Sequence, residues 1–133
     1  MYEPIRTKPV VQRMGGTTVD YPHSSRGEAL GIQLAGHLAA LLAVTDELGL
    51  DEAAAEIAAQ VTRLRGAQPT RAPRAPRGPA GDAAALHQRA HDLAARALLV
   101  AASRADTTVA ILTAERMDAH AAALESLDLA GAL

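Results

Sequence analysis

The stretch SRGEALGIQLAGHLAALLAVTDEL, residues 25–48, decides the fold. It opens on Ser25-Arg-Gly-Glu28, a capping-box pattern in which the serine hydroxyl and the glutamate each satisfy a free backbone N–H. Gly49 follows it and offers the left-handed residue on which helices end. At about 100° per residue, Leu30, Leu34, Leu38, Leu41, Val44 and Leu48 form one stripe. Gly31, Ala35, Ala39 and Ala43 recur four apart on the other side. A helix apolar nearly all round is central in a bundle, lies in an oligomer interface or spans a membrane. Its 17 uncharged residues, 29–45, sit at the bottom of the spanning range and include Gln33, Gly36 and His37. Burial in protein is therefore expected, and a membrane is not. The small-residue side suits close approach by a second copy, so a homodimer through this helix is expected.

Outward from this helix the boundary signals repeat. Asp51 is placed to cap a second helix that runs to Arg65 before Gly66, with Arg63 and Arg65 in the last turn, where they complement the dipole. Residues 66–81 hold four prolines and three glycines and form a connector without helix. Asp82 opens a third helix reaching about Arg104, and Asp106 or Thr107 opens a fourth reaching about Leu129 before Gly131. The expected fold is all-α: an antiparallel up-down-up-down four-helix bundle with helices near 25–48, 51–65, 82–104 and 107–129. Residues 1–24, broken by Pro4, Pro9, Gly15, Gly16 and Pro22, read as a flexible arm, at most with a hairpin of 10–14 on 17–21. At 133 residues one helical domain over 25–133 is expected.

Composition agrees and excludes. Alanine supplies 32 residues and leucine 17, whereas Phe and Trp are absent, so no site can rest on stacked rings. With no cysteine there is no disulfide frame and no thiolate ligand. No secretory signal is read at the N-terminus, which makes the cytoplasm the default location. The net charge of −2 conceals blocks: residues 1–26 carry +2, 27–62 carry −6, 63–78 carry +5 and 79–133 carry −3. No phosphate-cradling loop, nucleophile elbow or spaced carboxylate pair is present, so an enzymatic role has only the histidines to stand on.

Four of the five histidines fall inside the expected helices, and His37, His87 and His120 point inward with His91 at the edge of its face. In an alternating bundle His37 stands roughly 18 Å from one end, His87 about 8 Å, and His91 and His120 about 14 Å, so they could converge. Neutral imidazoles on rigid helices make a divalent transition-metal site for zinc, nickel or copper, and His87-x-x-x-His91 puts two ligands on one face. In outline this arrangement resembles the DinB-like metal-dependent bundles, a resemblance that implies a metal between the helices. The bland alternative is core histidines satisfied by carbonyls or acids.

Arg71, Arg74 and Arg77 repeat with period three among prolines, matching a polyproline II edge with its arginines about 9 Å apart. They are candidates for an acidic protein partner or an anion, against the alternative of a solvated linker. Nucleic acid is not expected, because three charges without aromatics bind it weakly. Arg116, on the apolar stripe of the fourth helix, is a further candidate for an anion, or else pairs with an acid or snorkels. The leading functional expectation is a self-associating interaction or regulatory module, and the alternative is a metal- or small-ligand-binding bundle.

Overall fold

The computed structural model describes residues 21–132, and every regular element among them is an α-helix: α1 Tyr21–Glu47, α2 Asp51–Arg65, α3 Ala80–Ser103 and α4 Thr107–Ala132. The expected all-α four-helix bundle is present. The arm and hairpin expected before residue 21 lie outside the described residues.

Four boundaries differ from expectation, one of them the end of α4, which runs through Gly131 to Ala132 where a stop near Leu129 is expected. α1 starts a turn early, so Ser25-Arg-Gly-Glu28 lies inside the helix instead of capping it. Pro22 falls in the first turn, where its missing N–H costs no helical bond. α1 ends as expected: Gly49 takes φ +72°, with Gly49 N–H donating to Asp46 O at 2.9 Å and Leu50 N–H to Thr45 O at 3.2 Å, the paired bonds of a Schellman cap. Asp51 does not cap α2. Leu50 holds that position without a side-chain bond, and Asp51 and Glu52 instead favour the first turn by charge. α3 begins at Ala80 with Pro79 before it, two residues ahead of Asp82. Asp106 does cap α4, its Oδ1 accepting from Val109 N–H at 3.3 Å.

The order of directions also differs. Arg63, near the end of α2, pairs with Asp106 at the head of α4 at 2.8 Å, and Arg104, at the end of α3, lies over Gly31 of α1. The C-terminal ends of α2 and α3 therefore lie together, against the N-terminal half of α1. Residues 66–79 carry the chain back to the other end of α1, where Ala75 N–H donates to Glu47 O at 2.9 Å. At about 3.1 Å per extended residue this connector is long enough to retrace α2, about 22 Å long. So α2 and α3 run the same way, and the order is up-down-down-up in place of the alternating order. α1 lies against α2 and α3, and α3 against α4, with α2 and α4 touching slightly.

The core is built mostly by α1. Leu34, Leu38, Leu41 and Leu42 are fully buried in one cluster with Ala54, Ile57 and Val61 of α2 and Ala90, Ala94, Ala97 and Ala101 of α3, which Val109 of α4 joins. Alanines across from leucines let the backbones approach closely and interdigitate at ordinary interior density. Thr45 and Thr113 are buried but satisfied, donating to Leu41 O at 2.7 Å and Val109 O at 2.8 Å.

Candidate functional site

Two places on this frame carry chemistry that the fold does not use up. The first lies between α3 and α4. His87 and His120 meet there with ring centroids 5.1 Å apart and facing Nδ1 atoms 2.9 Å apart. His120 is fully buried, and its Nε2 lies 3.5 Å from Arg116 Nη2. A guanidinium can only donate, so this contact leaves Nε2 as acceptor and puts the proton of His120 on Nδ1, which donates to His87 Nδ1. Burial pushes His120 down to about 4, aided by Arg116 and then by His87 and His91. Burial, then Arg116, also lowers His87. The pair is a neutral, hydrogen-bonded unit. Beside it two buried polar atoms, His91 Nδ1 and Arg116 Nε, lack partners.

Of the four histidines expected to converge, only His87 and His120 touch. His37, half-buried on α1, does not join them. Because α3 descends, Arg104 lies level with Gly31, so His37 stands opposite about residue 98, roughly 10 Å from the level of His91. The expected heights assumed that α3 ascends. Among the described residues no three or more His, Asp or Glu side chains are grouped to hold a metal ion.

The arginine-proline edge is not three equivalent free charges. Arg71 donates from Nε and Nη2 to Asp46 Oδ2 and Oδ1 at 2.9 and 2.6 Å, and Ala72 N–H adds a bond to Oδ2 at 3.0 Å. This clamp outweighs burial and holds Asp46 below the ordinary carboxylate range. All three arginines are exposed, but Arg71 is seated on Asp46 and Arg74 lies over Gly49, which sets Arg77 apart from both. Arg116 makes no ion pair among the described residues. It borders a shallow groove of about 280 Å³ with Asp51, Glu52 and Glu56.

The second place is the outward side of α1. Ala29, Ile32, Gln33 and Gly36 are exposed there, and Ala39, Ala40 and Ala43 are half-buried. The small face expected at Gly31, Ala35, Ala39 and Ala43 is thus displaced: Ala35 is buried and Gly31 is covered by Arg104. Ile32 is 74% exposed. Gly36 is a mid-helix glycine, and a Cβ there would meet nothing within 4 Å. Ser25–Glu47 is long and apolar enough to cross a membrane by length and composition, with 33% of its most apolar window buried. The sequence reading missed Ile32 and Gly36, although an uncharged run containing a glycine was the available signal. No family model, curated protein or solved structure matches the chain in comparisons with known proteins.

Proposed function

We propose that this chain is a protein-interaction module that self-associates through the outward side of α1. One observation carries the reading: the solvent side of a 27-residue helix carries no charge from Ala29 to Ala43 and has an exposed glycine at its middle. Exposed helix faces are ordinarily charged. A mid-helix glycine costs about 0.5–1 kcal/mol relative to alanine, and nothing else in the chain needs one at position 36. Close approach by another helix uses both features. A single helix-on-helix contact falls near the low end of specific interfaces, under roughly 1,200 Å² in total, so association should depend on concentration. Sedimentation of wild type and Gly36→Glu tests the reading. Dimerisation that the substitution removes without loss of helix content supports it, and a wild-type monomer at all concentrations overturns it.

A second reading rests on the facing Nδ1 atoms of His87 and His120, which would hold zinc, nickel or copper with water completing the shell. Binding there must displace the proton on His120 Nδ1 and work against the charge of Arg116. A rise in melting temperature with one of these metals, lost in His120→Ala, supports it. No shift and no metal in purified protein excludes it.

A further inference from the structure

We infer that the connector between α2 and α3 is a docking ridge in polyproline II form for a different protein, a proline-reading domain whose groove is lined by aromatic rings. Its residues are not those of the uncharged side of α1, and it does not depend on self-association. Residues 71–79 read R-A-P-R-A-P-R-G-P, so each is a proline, the residue before one, or the arginine between. Proline fixes φ near −65°, and the residue before it is pushed to extended backbone. Pro79 has φ −56° and ψ 153°, the polyproline II region. Exposure keeps the same period: between residues 66 and 79 the half-buried ones are Pro69, Ala72 and Ala75, three apart, whereas Pro73, Pro76 and Pro79 are exposed. One edge of a helix with three residues per turn therefore lies on the bundle, and its proline and arginine edges face solvent.

The bundle holds this ridge in place. Polyproline II has no internal hydrogen bonds, and here the inward edge supplies external ones: Ala72 N–H donates to Asp46 Oδ2 at 3.0 Å and Ala75 N–H to Glu47 O at 2.9 Å. Arg71 adds its two bonds to the Asp46 carboxylate. A segment already ordered in its bound shape loses less freedom when a partner takes it. Pro73 and Pro76 stand about 9 Å apart along the ridge, in the P-x-x-P spacing that aromatic-lined grooves accept. Charge is secondary, because Arg71 is committed to Asp46 and the remaining cations are too few to hold an anionic partner firmly. A second copy cannot supply the groove: the chain has no Phe or Trp and two Tyr.

The probes are three purified proline-reading domains, an SH3, a WW and an EVH1 domain, each titrated into the isotope-labelled full chain and followed by its amide resonances. At least one should shift the amides of residues 70–78. The double variant P73A/P76A changes exposed side chains only, so its fold is retained, and it should weaken that binding by at least about tenfold. The full chain should also bind more tightly than a free peptide of residues 68–80, which must be ordered on binding. No shift with any of the three domains overturns the inference. So does a free peptide that binds at least as tightly as the full chain, which would show that the bundle does not present the ridge. Binding that P73A/P76A leaves unchanged, and that salt abolishes, would show an acidic surface reading the arginines and would likewise overturn it. Each of these outcomes leaves self-association through α1 untouched.

Discussion

At the residue scale, the pairing of His87 with His120 makes stability depend on pH in a definite direction. Both groups are held below their ordinary value of 6.5, so the unfolded chain binds more protons than the folded one as pH falls from there. Their contribution is present in full above pH 6.5 and is lost progressively toward about 4, where His120 itself titrates. The slope should reach at most about 1.4 kcal/mol per pH unit for each proton. Asp46 and Asp106 are held below 3.8; for Asp106, burial is the largest single influence and works the other way, and Arg63, the Val109 N–H and Arg104 together outweigh it. Their losses come only below that value, so the two windows separate. Thermal melts between pH 7 and 4 should show a falling melting temperature whose slope is reduced in His120→Leu; an unchanged slope in that variant would show that the pair is not the titrating unit. Ala105 is a second residue-scale case. It ends α3 with φ +56°, a conformation that costs a residue with a Cβ about 1–2 kcal/mol. Ala105→Gly should raise stability by roughly 0.5–1 kcal/mol in urea titration.

At the element scale, the three arginine-proline triplets look alike in sequence, yet only one arginine is a clamp. Asp46 is buried and takes three hydrogen bonds from the connector. Arg71→Ala should lower the melting temperature by leaving the Asp46 carboxylate short of two of its three partners, and should open the connector to proteolysis. Arg77→Ala should be neutral within about 0.5 kcal/mol. Equal effects from both would restore the picture of an undifferentiated basic edge. Helix existence and most ends were legible because periodicity, Gly49, Gly66 and Asp106 act within a few residues of where they stand. The start of α1 was not, since Ser25 and Glu28 fit a cap and a helix interior equally well. Nor was the seat of Arg71, which depends on a partner 25 positions away.

At the scale of the whole molecule, the direction of α3 decides which side chains can meet, and it is set by where a 14-residue connector lands. Composition and helix periods do not encode that landing; the Asp46 clamp does. Helix periods therefore turn His37, His87 and His120 inward, with His91 at the edge of its face, without fixing which of them meet. The same arrangement leaves α1 covered by α2 and α3 on one side and bare on the other. Self-association through that bare side is the central claim, and the molar mass of the native chain across a dilution series tests it most directly. The expected result is a monomer at low concentration passing to a dimer at high concentration, with Gly36→Glu monomeric throughout and equally helical. A native chain that remains monomeric over the whole series, or a Gly36→Glu variant that dimerises as well as the native chain, would contradict it.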